Sequence, residues 1–299
     1  MDLIKEINNL KKKKNAIILA HCYQNIEIDS VADYVGDSFY LSKVASKSDA
    51  DIIVFAGVYF MAQSAKLLSP DKKVLLPNMQ SGCLMADMID AQKLKDFKAL
   101  HPNIPVVCYI NSTAEVKALS DICCTSSNAV TIVKSLNAPK ILFVPDTYLG
   151  KYVESKLNGV EVITYNGFCP THLRIRVEDI ELARKKYPKA IILAHPECHK
   201  EVSKLADFVG STKEIMDFVG TSDNEQFVIA TEIGVKERLE RDYKDKKFVL
   251  INDKITCPNM KMNTLSDIYN VLQNETNEIT IDAKVAKDAR LCIEKMLQY

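Results

Sequence analysis

The chain lacks net charge. Its 39 Lys and Arg balance 39 Asp and Glu, which excludes a partner held by bulk electrostatics, such as nucleic acid or an anionic membrane surface. It also lacks any apolar run near the roughly 18 residues that span a bilayer. The start, Met1 to Lys14, has neither the apolar centre nor the cleavage site of a secretory leader. It reads as a charged helix with Leu3, Ile4, Ile7 and Leu10 on one face, so a cytoplasmic location is expected. No low-complexity stretch occurs. Cysteine is not scarce: there are nine, an odd number. No two of them form a Cys-x-x-Cys pair, which counts against an ordinary structural zinc site. The odd count in a long chain with no leader counts against a disulfide framework. Metal binding or catalysis is what remains for the thiols.

What is present is a repeat. Ala16-Ile17-Ile18-Leu19-Ala20-His21 returns as Ala190-Ile191-Ile192-Leu193-Ala194-His195. A buried aliphatic run ending in a polar residue reads as a parallel strand whose last side chain leaves the core. Ligand sites of open parallel sheets lie at those carboxyl ends. Ala32-Asp33-Tyr34-Val35-Gly36-Asp37-Ser38 matches Ala206-Asp207-Phe208-Val209-Gly210-Ser211-Thr212, with a looser middle copy from Ser120 to Ser126. His21 to Ser38, Tyr109 to Ser126 and His195 to Thr212 are each 17 positions. Cys83, Cys169 and Cys257 follow the last strand of each copy, 86 and 88 positions apart. His21, Tyr109 and His195 lie 88 and 86 apart. Each copy alternates helix and strand and is long enough for its own small parallel sheet covered on both faces. The expected fold is α/β: three homologous domains over residues 1–87, 88–175 and 176–263. The tail, 264–299, is expected to pack back on the first.

Three sets of residues share one phase of the repeat. The first is Cys83, Cys169 and Cys257. If the domains surround a pseudo-threefold axis, these thiols converge. Three thiolates suit either a zinc ion with a fourth ligand or a four-iron cluster with one iron free of protein. The second set stands at the tips of the first strands: His21 and Tyr23, Tyr109 and Asn111, His195 and Glu197. Two-residue spacing on an extended segment puts each pair on one face, and His with Glu is a usual acid–base pairing. The third set is Ser38, Ser126 and Thr212, each expected as an N-cap. Helix N-termini so placed would suit a substrate with acidic groups. Cys22, Cys108, Cys123, Cys124, Cys198 and Cys292 share no phase and read as core residues.

These residues, taken with their neighbours, resemble the quinolinate synthase A family. The resemblance covers essentially the whole chain. It rests on His21-Cys22-Tyr23-Gln24, Gly36-Asp37-Ser38, Tyr109-Ile110-Asn111-Ser112, Cys124-Thr125-Ser126-Ser127-Asn128-Ala129, His195-Pro196-Glu197-Cys198, Gly210-Ser211-Thr212, Thr231-Glu232-Ile233-Gly234 and Cys257-Pro258-Asn259-Met260-Lys261. It implies a triangular arrangement of three-layer α/β/α domains around one [4Fe–4S] cluster per subunit, held by Cys83, Cys169 and Cys257. It implies condensation of iminoaspartate with dihydroxyacetone phosphate to quinolinate, phosphate and two waters. It implies that His21, Ser38, Tyr109, Ile110, Asn111, Ser126, His195, Pro196, Glu197 and Thr212 hold substrate. Glu197 is expected as the general base and acid. His21, Tyr23 and His195 are expected to assist proton transfers, and Tyr109 to position the condensing atoms. An aspartate oxidase or dehydrogenase upstream is implied by the pathway, and a homodimer is admitted. The other reading of the same residues is a zinc-dependent lyase or hydrolase.

Overall fold

The computed structural model describes residues 2–299. The aliphatic runs form three four-stranded sheets, every pairing within them parallel. The first holds strands Ala16–His21, Tyr34–Gly36, Ile52–Ala56 and Lys73–Leu75; the second holds Val106–Tyr109, Ile122–Cys124, Lys140–Val144 and Glu161–Thr164; the third holds Ile191–Ala194, Phe208–Val209, Gln226–Ala230 and Lys247–Leu250. In each, the spatial order is second, first, third, fourth. The direction of winding therefore reverses between the first and third strands, the place where such sheets open a crevice. Helices cover both faces, which makes three α/β/α domains. Ile52–Ala56 is buried at all five positions, as a central parallel strand of continuous aliphatics must be.

The repeat is visible in single hydrogen bonds. Asp33 accepts from Ile18 N–H at 2.8 Å, Asp121 from Val106 N–H at 2.7 Å, and Asp207 from Ile192 N–H at 2.8 Å. Each carboxylate ties the approach to the second strand to the first strand. The loops after the fourth strands repeat as well. Tyr59 N–H donates to Ser81 O at 2.8 Å, Thr147 to Gly167 O at 2.8 Å, and Ile233 to Ile255 O at 3.0 Å. Two residues beyond each acceptor stands Cys83, Cys169 or Cys257. A short 3-10 turn then follows three residues after each cysteine: Ala86–Met88, His172–Arg174 and Met260–Met262.

The tail requires a correction. Helix Leu265–Asn274 packs on the first domain, against helix Leu3–Lys13 and strand Ile52–Ala56. Helix Ala283–Met296 does not return there alone: it lies chiefly on Ala114–Ala118 and Ile122–Cys124 of the second domain, and also on Tyr59–Leu68 of the first. Ala289, Cys292, Ile293 and Met296 close one core that runs through both domains, whereas the third domain has cores of its own. Among the described residues no helix is long and apolar enough to cross a membrane.

Candidate active site

The three strand-tip loops and the three cysteine loops face one cavity of about 90 Å³. Its wall includes His21, Tyr23 and Ser38 from the first domain, Tyr109, Asn111 and Ser126 from the second, and His195, Glu197 and Thr212 from the third. Ile110 and Pro196, the middle residues of their tips, are buried and do not line it. Alternation along an extended segment sends them to the other side.

The helix-start hydroxyls are not the caps expected. Asp37 caps Ser38–Lys47 by accepting from Tyr40 N–H, and Ser211 caps Thr212–Thr221 by accepting from Glu214 N–H. Ser38 and Thr212 are thus first helical residues, their hydroxyls released from capping. Helix Ala129–Ser135 follows Asn128, whose amide oxygen accepts from Thr125 N–H at 2.8 Å, and Thr125 and Ser127 bond each other at 2.8 Å. Ser126 is left facing the cavity.

One chain of hydrogen bonds crosses all three domains. Thr212 Oγ1 lies 2.9 Å from Tyr23 Oη, which lies 3.2 Å from Thr231 Oγ1. Thr231 Oγ1 lies 2.9 Å from His172 Nε2. His172 Nδ1 lies 2.8 Å from Glu197 Oε2, and Tyr109 Oη donates to Glu197 Oε1 at 2.6 Å. His195 stacks on His172 with ring centroids 4.8 Å apart, and His21 stands edge-on to Tyr23 at 4.7 Å. Thr231, His172 and Glu197 thus stand in series, with Thr231 fully buried behind the cavity wall and His172 Nδ1 also 3.2 Å from Cys169 Sγ.

Burial sets the charge states. It pushes the Glu197 carboxyl up, but His172 and His195 beside it, with hydrogen bonds from His172 and Tyr109, outweigh that and hold it well below the usual carboxylate range. Burial lowers His21 to about 3, helped by the Arg238 guanidinium, and lowers His195 to about 3 against the pull of Glu197. Both imidazoles are therefore neutral near pH 7, each with one donor and one acceptor nitrogen. Burial also raises the Tyr23 and Tyr109 phenols, so both are O–H donors.

His172 escaped the sequence reading, and Thr231 entered it only within the motif Thr231-Glu232-Ile233-Gly234, with no role of its own. Their counterparts are Ala86 and Met260 for His172, and Gly57 and Pro145 for Thr231. A search for residues shared by the copies cannot find what one copy alone carries. The available signal was local: His172 stands three residues after a phased cysteine, and Thr231 at the tip of a third strand.

The donor set for a metal centre can be tested on the cysteines. Cys83, Cys169 and Cys257 are half-buried on the cavity wall, one from each domain, whereas the other six are fully buried. Burial pushes Cys83 up to about 12 and raises Cys169 and Cys257 too, and Cys169 feels both of the others as like-charged neighbours. Three half-buried thiols, one from each domain on the wall of one cavity, are a donor set that fits a centre binding them as thiolates, since a bound metal displaces their protons. A second donor set, Cys169 with His172 and Glu197, has its ligand atoms within 4.8 Å of one another. There, both imidazole nitrogens and both carboxylate oxygens already have protein partners.

Three α/β/α domains that all line one cavity, with a hydrogen-bond network running through all of them, make the kind of shared site that an enzyme has. A family model described as quinolinate synthetase A protein matches residues 5–298. Quinolinate synthase of Alkaliphilus metalliredigens is 51% identical over 297 residues, 99% of this chain and 98% of that protein. Quinolinate synthase of Caldicellulosiruptor saccharolyticus is 50% identical over 294 residues, 98% of this chain and 97% of that protein. That of Clostridium perfringens is 49% identical over 296 residues, with 99% and 98% covered. The chain belongs to the quinolinate synthetase A family.

Proposed function

We propose that this enzyme condenses iminoaspartate with dihydroxyacetone phosphate to quinolinate, phosphate and two waters, as a step of NAD biosynthesis. The observation that carries the reading is the convergence of three phased thiols on one cavity beside a six-residue hydrogen-bond network. The reaction is redox-neutral. Its difficulty lies in moving protons between carbon, nitrogen and oxygen while water and phosphate leave. Cys83, Cys169 and Cys257 would hold a [4Fe–4S] cluster, which when bound supplies a Lewis acid for loss of water.

The chain's own residues supply the rest. Ser38, Asn111, Ser126 and Thr212 offer hydroxyl and amide groups to the carboxylates and phosphate of the substrates, beside the N–H groups of two helix starts. Tyr109 and Tyr23 donate from fixed phenols. Glu197, held ionised, orients His172 and accepts from Tyr109. A proton that Glu197 takes from substrate is shared with His172, whose other nitrogen accepts from Thr231, and goes back to substrate by the same path, so the general acid–base work passes through this pair. Neutral His21 and His195 bind by hydrogen bonding rather than charge. Pro196 and Ile110 contribute through the backbone of their turns. Water is kept out because the cavity closes only where three domains meet. Iminoaspartate would come from an aspartate-oxidising enzyme.

A zinc hydrolase reading draws on Cys169, His172 and Glu197. It is the weaker one, since those groups satisfy each other without a metal while Cys83 and Cys257 are left with no role. An assay of quinolinate and phosphate, supplied with both substrates under anaerobic conditions, tests the choice. Equimolar quinolinate and phosphate support the proposal. Phosphate release without quinolinate supports a hydrolase.

A further inference from the structure

Lys117 is fully buried, and the catalytic account gives it no task. It lies on the short helix Ala114–Ala118 of the second domain, under helix Ala283–Met296. Among the described residues it forms no ion pair. The groups that face it are Cys108 from the first strand, Cys123 from the second and Cys292 from the tail helix; Glu115, on its own helix, is exposed. Burying a lysine amine with no carboxylate beside it costs stability, burial here lowering its pKa, and such a site is often better filled by an apolar side chain of the same size. A lysine held there calls for another reason.

The reason lies in what Lys117 touches. Its Nζ donates to the carbonyl oxygen of Ser112, the residue that closes the turn Tyr109-Ile110-Asn111-Ser112. Ser112 Oγ in turn donates to Tyr109 O at 3.0 Å and meets Cys108 Sγ at 2.9 Å. The same ammonium sits 5.5 Å from the ring centroid of Phe60, a cavity-lining residue of the first domain. One turn along that helix, Gln63 Oε1 accepts from Ala114 N–H at 3.2 Å. The turn that presents Tyr109 and Asn111 is therefore tied down by Lys117 behind it, while Gln63 from the neighbouring domain holds the start of the helix that carries Lys117.

We propose that Lys117 is a positioning residue, which fixes the Tyr109–Ser112 turn so that the phenol of Tyr109 and the amide of Asn111 meet an anionic ligand, at the expense of fold stability. The identity of the ligand rests on the function proposed above; the hold on the turn does not. The Lys117→Met holoenzyme tests it with three measurements. The melting temperature stays equal to wild type or rises. Amide exchange in the Tyr109–Ser112 segment accelerates at least tenfold, while exchange in strand Ile52–Ala56 does not change. The kcat/KM for quinolinate formation falls at least tenfold. Gln63→Met, which releases Ala114 N–H and leaves Lys117 in place, accelerates exchange at Ala114 and not in the Tyr109–Ser112 segment. An insoluble or lower-melting Lys117→Met chain overturns the proposal, because the lysine is then structural. Unchanged exchange in the segment overturns it as well. Wild-type enzyme that makes no quinolinate overturns the functional reading and leaves the melting and exchange results to judge Lys117.

Discussion

Thr231, His172 and Glu197 bear the sharpest consequences at the scale of single residues. His172→Gln keeps an amide near the Thr231 hydroxyl but removes the exchangeable imidazole proton. The expected loss in kcat is on the order of 10²–10⁴-fold, with quinolinate binding altered much less, as equilibrium dialysis would show. An equal loss in both would place His172 in binding rather than proton transfer. The histidines at two of the first-strand tips make a pH prediction. In the unfolded chain His21 and His195 take up protons near about 6.5; in the folded one burial delays this to about 3. Between those values the unfolded state holds more protons, so stability falls as pH drops from about 6.5 towards 3. Melting temperatures from pH 8 to 5 should decline below about 6.5, and a flat profile would contradict the buried neutral imidazoles. Residue positions were only partly legible in the sequence. Tyr109 and Glu197 stood at strand-tip positions that the repeat marks, whereas His172 and Thr231 answer to Ala86, Met260, Gly57 and Pro145 and the repeat could not mark them.

At the scale of elements, the cysteine loops are placed by backbone contact with the start of the next-door helix. Gly167 shows how tight this is: a Cβ there would stand 2.5 Å from Pro145 O. Gly82, one residue before Cys83, has no atom nearer than 3.6 Å to such a Cβ. Gly167→Ala should therefore displace the loop carrying Cys169 and cut iron loading at least several-fold, while Gly82→Ala should load like wild type. Equal loading in the two variants, by iron assay, would show that loop placement does not govern the centre. The strands themselves were readable from aliphatic runs such as Ile52–Ala56, and even Phe208–Val209 could be placed because its repeat partner Tyr34–Gly36 is longer. Two helix starts were misplaced by one residue and the third, at Ser126, by two. In Asp37-Ser38 and Ser211-Thr212 two good capping residues stand side by side, and composition does not say which takes the extended backbone of the cap.

The whole molecule is built as a joined pair of domains with a third set against it. Helix Ala283–Met296 seals the core shared by the first two, and its amphipathic pattern could not announce which domain it would meet. Ile293, fully buried in that core, tests the arrangement. Ile293→Ala should cost about 2–5 kcal/mol in denaturant unfolding, and a change below about 1 kcal/mol would mean that the tail helix does not seal this core. The pseudo-threefold plan was legible because landmarks 86 and 88 residues apart kept step; the network joining the domains was not, since each of its bonds links residues far apart in the chain. The central claim is that this plan gathers three thiols into one metal centre. Its most direct measurement is iron, sulfide and zinc content, with the visible spectrum, of anaerobically purified wild type and Cys169→Ser. The account predicts about four irons and four sulfides per wild-type chain, with a broad thiolate-to-iron band, and their loss in the variant. A colourless wild-type protein carrying one zinc, or a variant that keeps its full iron, would contradict it.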